Sequence, residues 1–206
     1  MHHSFRASNL DDAKNLEDAK AFMDWIVTNR LKISDQAFTF AILNLVKNNH
    51  IAKAFCNDQS FNIIDSLLGN AATSPPQVSY NTVTILWILS FQDVAQKYFE
   101  NYTYDLLGKV TKILDFCTWE KIVRMILLLI DNLKDNEICQ EHLSDIDALS
   151  LITKLQNRHW VDEDLNKLLE KLHDYFDENQ KVFSSIEKLK NQVNRGQLKW
   201  GPCHTE

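Results

Sequence analysis

The sequence has 206 residues, of which 45% are hydrophobic, so it is long enough to bury a sizeable core in one domain or at most two. It carries 28 acidic and 22 basic side chains, and its net charge of -6 argues against binding to a nucleic-acid backbone, where Lys and Arg concentrate. Only four glycines and three prolines are present, and this scarcity of turn residues favours helix throughout the chain.

The cysteines and the apolar runs indicate in which cellular compartment the chain resides. The four cysteines lack CxxC spacing, and their apolar or helical surroundings are typical of reduced thiols. The longest unbroken apolar run is Met125 to Ile130, whereas a helix that crosses a bilayer needs roughly 20 residues. The first residues show no apolar core of signal-peptide length. We therefore expect a cytoplasmic chain that is not inserted into a membrane.

A single helix is predicted to precede the repeats, over about Leu10 to Arg30. Its apolar side chains are Leu16, Ala19, Phe22, Met23, Trp25 and Ile26. The first helix of a stacked array has a neighbouring layer on one side only, so we expect its apolar face to lie partly bare.

The stretch from Ser34 to Asn48 predicts a helix that opens on a capping serine and carries an apolar stripe. The stripe consists of Ala37, Phe38, Ala41, Ile42, Leu45 and Val46. A short helix and a third helix follow, and Gly69 with Asn70 should end the third. The short helix carries Ile51, Ala52 and Phe55, and the third carries Phe61, Ile64, Leu67 and Leu68.

This pattern returns when the sequence is shifted by 43 residues. The matched pairs are Ile42 with Ile85, Leu45 with Ile88, Ala52 with Ala95, Phe55 with Tyr98, Phe61 with Tyr104 and Ile64 with Leu107. A third copy begins at Thr118, with Ile122, Met125, Ile126, Leu129 and Ile130 in its long helix, Ile138 and Leu143 in its short helix, and Leu149, Ile152 and Leu155 in its last. A period of about 40–47 residues built from two or three helices is typical of HEAT and armadillo arrays.

We therefore predict an all-α fold, a HEAT/armadillo-like alpha solenoid that winds as a right-handed superhelix of two- and three-helix repeats. A single domain spans residues 1–206, with a leading helix in 1–33, about three repeats in 34–157 and charged terminal helices in 158–206. The long helices of the second and third copies are apolar nearly all round, as in a helix between two layers. Leu89 and Leu129 should therefore be fully buried.

The last part of the chain is charged. Asp162, Glu163 and Asp164 place negative charge at a helix start, where the macrodipole favours it. Consecutive helical positions point about 100° apart, so these carboxylates do not converge on one cation. The stripe of this helix is Leu165, Leu168, Leu169, Leu172 and Phe176. The residues Phe183, Ile186, Leu189 and Val193 continue it into a second helix, which should end at Gly196.

Five segments of the chain, in a fixed order and spacing, carry a resemblance to a known family: Val78–Phe91, Glu120–Arg124, Trp160–Leu165, Phe183–Glu187 and Gly196–His204. Together they resemble the regulatory H subunit of the vacuolar-type proton ATPase. The resemblance spans about Val78 to His204, and it implies the later half of the family's large helical N-terminal domain, without its opening helices and its smaller C-terminal domain. Gly201 and Cys203 depart from the Ser and the Pro or Val of the family pattern.

The resemblance also implies a non-catalytic subunit on the cytosolic sector of a proton pump of vacuolar or endosomal membranes. Such a subunit contacts the peripheral stalk and the large membrane-sector subunit, and it couples ATP hydrolysis to proton pumping. Its silencing of hydrolysis is tied to the C-terminal domain, so we expect that role to be missing here. Trp160, Asp162, Glu163 and Trp200 are candidate partner-binding residues, and packing of both tryptophans against the terminal helices is the favoured alternative.

Motifs that would carry chemistry are sparse. None of the four glycines belongs to a complete GxxxxGK[ST] or GxGxxG phosphate-binding motif, so we expect no nucleotide, no other cofactor and no small-molecule substrate. Cys203 and His204 could supply half of a zinc site, but no second pair accompanies them. A generic armadillo adaptor would show a ladder of asparagines, yet the 43-residue shift puts Trp87 at the position of Asn44. An all-helical enzyme would need a converging polar pocket, which the sequence does not indicate.

Overall fold

The computed structural model consists of α-helices and two short 3-10 helices, with no strand, over the residues that it describes. It describes the backbone of residues 4–194 and, within this range, the side chains of residues 14, 16–100 and 106–179. The α-helices are α1 (Ser4–Thr28), α2 (Asp35–Leu45), α3 (Asn49–Phe55), α4 (Asp58–Gly69), α5 (Pro76–Leu89), α6 (Gln96–Phe116), α7 (Glu120–Leu133), α8 (Glu137–Asp145), α9 (Ala148–Gln156) and α10 (Glu163–Asn194). The 3-10 helices are Arg30–Lys32 and Asp93–Ala95. In this part of the chain, no helix combines the length and the apolar character needed to cross a bilayer.

The helices stack in layers along the chain. The first row consists of α2, α5, α7 and α10, and each of these helices contacts the next. In the second row α4 contacts α6, and α8 and α9 connect α6 to α10. Hydrogen bonds between layers join side chains 42 residues apart: Asn81 Nδ2 donates to Thr39 Oγ1 at 3.3 Å, and Asn132 Nδ2 donates to Ser90 Oγ at 2.7 Å. Because this separation is close to the sequence period, the predicted all-α solenoid is confirmed.

Short polar side chains mark where the helices of the repeats begin. The hydroxyl of Ser34 accepts from the backbone N–H of Ala37 at the start of α2, and Asn57 Oδ1 accepts from Ser60 N–H at the start of α4. The same type of cap is supplied to α3, α8 and α9 by Asn48, Asn136 and Asp147. Each cap satisfies a backbone donor that has no partner within its helix.

One missing cap changes the second repeat. In the first repeat Asn57 separates α3 from α4, whereas the residue 43 positions later is Glu100. Glu100 Oε1 accepts instead from Asn136 Nδ2 at 3.3 Å, and the chain continues as the single helix α6. The expected separation of a short helix near Tyr98 from a later one is therefore wrong, and this repeat has two α-helices.

The end of the described chain also differs from the prediction. Two helices were expected after Trp160, but α10 is one helix of 32 residues, Glu163–Asn194. Neither glycine nor proline stands between the two expected helices, so nothing in the backbone ends the first. The predicted stop at Gly196 lies outside the described residues.

The core lies between the two rows. Leu89 of α5 and Leu129 of α7 have exposed fractions of 0% and 1%, so the prediction that both are buried is confirmed. Both helices have a layer on each side, which explains why they are apolar nearly all round.

The helix α1 packs on α2 and α3. Met23 and Ile26 are buried there, whereas Phe22 and Trp25 are 51% and 57% exposed. The rings of these two exposed residues stack with their centroids 6.3 Å apart. The expectation of a partly bare apolar face on this helix is confirmed.

Candidate interaction surface

Trp160, the first of the predicted partner-binding residues, lies in the turn between α9 and α10. Its side chain is only 8% exposed, and its indole Nε1 donates to the carbonyl oxygen of Leu155 at 2.7 Å. The guanidinium carbon of Arg158 lies 5.9 Å from the ring centroid, within the range of a cation–π contact. Trp160 therefore packs inside the fold, which is the alternative that the sequence favoured.

Asp162 connects α10 to α7. Its Oδ1 accepts from the backbone N–H groups of Asp164 and Leu165 at 3.0 and 3.2 Å, so this carboxylate caps α10. Its Oδ2 pairs with Arg124 Nη1 at 2.6 Å. Both carboxylate oxygens are thus engaged within the chain, and the negative charge lies at the helix start, where the macrodipole favours it.

Two turns are held side by side at this edge of the stack. Arg158 donates from Nη1 to the carbonyl oxygen of Cys117 and from Nη2 to that of Asp115, both at 3.2 Å. The Oε1 of Glu120 accepts from the backbone N–H of Val161. The turn between α6 and α7 and the turn between α9 and α10 therefore fix each other's position.

Apolar side chains project into solvent from both turns. Phe116, Trp119 and Val161 are 53%, 60% and 81% exposed, and Glu163 beside them is exposed as well. We call these four residues the junction surface. Tryptophan is prominent among residues that dominate protein binding, and rigid support lowers the entropic cost of association. Trp200, the last predicted partner-binding residue, lies outside the described residues.

Phe116, Trp119 and Val161 were not among the residues that the sequence pattern predicted for partner binding. All three lie at or beside helix ends, outside the apolar stripes that indicate the core. These residues could have been found from the sequence by one signal, which is a bulky apolar side chain at a position where the repeat does not use one for core packing. In the previous layer, for example, the residue directly before the first-row helix is Pro75, whereas here it is Trp119.

Groups that carry chemistry are sparse in the described part of the chain. Among its residues, no three His, Cys, Asp or Glu side chains are grouped so as to hold a metal ion, and Cys203 and His204 lie outside it. Burial raises the pKa of the Cys56 thiol to about 11, and burial also raises the pKa of Cys117. Both thiols are therefore protonated at neutral pH, which makes them poor nucleophiles.

Comparisons with known proteins connect this fold to one family. A family model that describes the H subunit of the V-ATPase matches residues 5–176. Over 166 residues the chain is 28% identical to the probable H subunit of the V-type proton ATPase of Oryza sativa subsp. japonica, and the match covers 80% of this chain and 36% of the relative. It is 24% identical over 193 residues to the H subunit of the V-type proton ATPase of Dictyostelium discoideum, with 91% and 43% covered. The corresponding protein of Drosophila melanogaster is 26% identical over 135 residues, with 62% and 28% covered.

The chain thus spans between 28% and 43% of the length of these relatives. The family match begins well before Val78, where the sequence resemblance began, and so includes the first repeat. It also includes α7, the start of α10 and all four residues of the junction surface. With most of its length matched, this chain belongs to the family of V-ATPase H subunits.

Proposed function

We propose that this chain is a non-catalytic, regulatory part of the vacuolar-type proton-pumping ATPase. In this role it binds stalk and membrane-sector subunits on the cytosolic face of vacuolar or endosomal membranes and thereby couples ATP hydrolysis to proton transport. The family match over residues 5–176 is the observation that carries the proposal. The layered solenoid supports it, because stacked repeats offer extended surfaces for other proteins.

The junction surface is the proposed contact with another subunit. A half-exposed Phe or Trp offers roughly 100 Å² to a partner, about half of its full surface. Phe116 and Trp119 with Val161 would then supply a substantial share of the roughly 800 Å² per partner that a stable interface buries. Glu163 adds a carboxylate at the rim, and Arg158 and Glu120 hold the two turns in place.

A binding experiment with the pump tests this proposal. Membrane vesicles that carry the proton pump, stripped of its own H subunit, are incubated with the purified chain. Co-sedimentation measures binding, and quenching of a pH-sensitive dye measures ATP-driven proton uptake. We expect the chain to sediment only with vesicles that contain the pump and to raise the rate of proton uptake.

Two tryptophan variants examine the surface itself. Trp119→Ala should weaken binding about tenfold, in line with the loss of roughly 1.4 kcal/mol at an interface anchor. Trp25→Ala removes a side chain of similar exposure from α1 and should bind like the unaltered chain. Absence of binding by the unaltered chain would contradict the subunit role, whereas equal losses in the two variants would remove only the junction surface from it.

We also expect the purified chain to hydrolyse no ATP by itself. Gly196 and Gly201 have the spacing of the two glycines in a phosphate-binding loop, but Pro202 and Cys203 follow where that loop needs Lys and then Ser or Thr. Release of phosphate from ATP, measured across the fractions of successive columns, checks this expectation. Turnover that follows the chain through every column would contradict a non-catalytic role.

A further inference from the structure

A cavity of about 250 Å³ opens between the turn that follows α5 and the turn that follows α7. A water molecule takes up about 30 Å³ in the liquid, so the cavity has room for a whole side chain. It lies at the opposite end of α7 from the junction surface, because Trp119 precedes the start of that helix and Asn136 of the cavity follows its end.

The surroundings of this cavity are negative. Asp93 and Asp135 are among the described residues that line it, and none of those residues is a lysine or an arginine. Asp135 Oδ2 lies 3.5 Å from Lys134 Nζ, whereas no cation of the described residues pairs with Asp93. Both α5 and α7 also end here, and the carboxyl end of a helix carries about half a negative charge. A ligand for this cavity therefore needs positive charge.

Side-chain amides supply further hydrogen-bond acceptors. Gln92 is 8% exposed, and its Nε2 donates to Asn49 Oδ1 at 3.4 Å. Asn132 Nδ2 donates to Ser90 Oγ at 2.7 Å. Within the described part of the chain, neither Gln92 Oε1 nor Asn132 Oδ1 accepts a hydrogen bond. Because both amides use their N–H groups inside the fold, they offer oxygen atoms to a ligand, which should carry several N–H donors.

The fold itself holds two guanidinium groups in surroundings of this kind. Arg30 pairs with Asp35, and its guanidinium carbon lies 4.6 Å from the ring centroid of Phe38. Its Nη1 also donates to the carbonyl oxygen of Ile33 at 3.0 Å. Arg158 donates to two carbonyl oxygens at the end of α6 and lies over an indole ring. Carbonyl oxygens and an aromatic ring thus accompany each guanidinium, and a carboxylate accompanies one of them.

We propose that this cavity is a binding site for a guanidinium group, supplied by an arginine side chain of a partner protein. Asp93 would pair with the cation, and the amide oxygens of Gln92 and Asn132 would accept from its N–H groups. The ring of Phe91, which is 57% exposed and lines the cavity, would lie against the guanidinium plane. Arginine fits better than lysine, because its planar group carries five N–H donors in a fixed arrangement.

The exposed apolar surface beside the cavity favours a protein as the source of the guanidinium group. Val94 follows Phe91 by three residues and is 43% exposed. Residues on either side of an arginine in a partner chain would cover these two side chains, which a small guanidinium compound would leave in water. The site does not depend on the proposed role in the pump.

Nuclear magnetic resonance of the ¹⁵N-labelled chain tests the site directly. The probe is the tripeptide Leu-Arg-Leu, acetylated at its amino end and amidated at its carboxyl end, and it is titrated into the millimolar range. We expect the side-chain amide signals of Gln92, Gln96 and Asn132 to shift until the site is saturated. The same tripeptide with citrulline in place of arginine keeps the shape without the charge and should leave these signals unchanged. Free arginine should bind about tenfold more weakly than the tripeptide, because it covers less apolar surface.

Variants of Asp93 decide whether the charge in the cavity matters. Asp93→Lys should weaken binding of the arginine tripeptide about tenfold, because a like charge then replaces an opposite one. Asp93→Asn should give a smaller loss. Glu141→Lys changes an exposed acid of α8 that does not line the cavity and should bind like the unaltered chain. Circular dichroism verifies that each variant is folded.

Three results would overturn the guanidinium site. These are an absence of shifts with the arginine tripeptide, equal shifts with the citrulline tripeptide, and unchanged affinity in folded Asp93→Lys. Free arginine that binds as tightly as the tripeptide would overturn the choice of a protein as the source of the guanidinium group.

Discussion

Leu129 shows at the scale of one residue what the stacking of layers contributes to stability. Its side chain is 1% exposed in α7, which contacts α5 on one side and α10 on the other. Leu129→Ala should lower the free energy of unfolding by about 2–5 kcal/mol, because a cavity remains where the side chain was. Urea unfolding followed by circular dichroism measures this. Ile138→Ala, at a site that is 40% exposed, should cost far less, and similar losses in the two variants would show that the buried face of α7 is misassigned.

A second residue-scale prediction concerns pH. His142 of α8 is 5% exposed, and burial lowers the pKa of its imidazole below the usual 6.5, with only partial opposition from the Asp145 carboxylate. The unfolded chain therefore binds a proton more readily than the folded chain, so this histidine should reduce stability as the pH falls below about 6.5. Unfolding free energies at pH 7.5 and 5.5 measure the effect. His142→Gln should show a smaller loss between these two values, and an unchanged loss would assign the pH dependence to other groups.

The start of α10 offers a test at the scale of a single element, because Asp162 both caps the helix and pairs with Arg124. Asp162→Asn keeps a good capping side chain but removes the charge pair, whereas Asp162→Ala removes both. We expect the alanine variant to cost about 1–2 kcal/mol and the asparagine variant less than about 1 kcal/mol, since partly exposed ion pairs contribute little. Thermal and urea unfolding provide the comparison. Equal losses would mean that the ion pair, and not the cap, is the main contribution.

The elements also show what the sequence could predict. The three helices of the first repeat were predictable because apolar stripes are interrupted by capping residues such as Ser34 and Asn57. The continuous α6 was not, because an apolar stripe has the same period whether the helix breaks or continues. The difference rests on one position, where Glu100 replaces the capping asparagine.

The candidate site was predictable only in part, for a related reason. The turn after α9 was recognised from Trp160 and the acidic residues that follow it, but periodicity does not show which side chain at a helix boundary points outward. Val161 and Trp119 come together through contacts between turns about 40 residues apart in sequence. Such contacts become apparent only when the layers are assembled.

At the scale of the whole molecule, amide hydrogen exchange should follow the layers. The helices α5 and α7 have a layer on each side, whereas α1 contacts α2 and α3 and leaves Phe22 and Trp25 exposed. We expect amides in residues 10–55 to exchange faster than those in residues 80–155, because local opening there exposes less buried surface. Mass spectrometry of peptic fragments measures this difference. Uniformly slow exchange would show that α1 closes its end of the stack as firmly as an internal layer.

Because α10 is long, a small tilt at its start would displace its far end by several ångströms. The helix has 32 residues. Its first half is attached to α7 by the Asp162–Arg124 and Lys171–Asp131 ion pairs. It is attached to the turn after α7 by Tyr175, whose hydroxyl lies 3.0 Å from the carbonyl oxygen of Lys134. From Tyr175 to Asn194 the helix extends for roughly 29 Å at about 1.5 Å per residue. A tilt of about 10° at this attachment would therefore move the far end by roughly 5 Å. A small tilt of this helix between two layers, with the ion pairs as its pivot, would thus move the far end by about the length of a side chain.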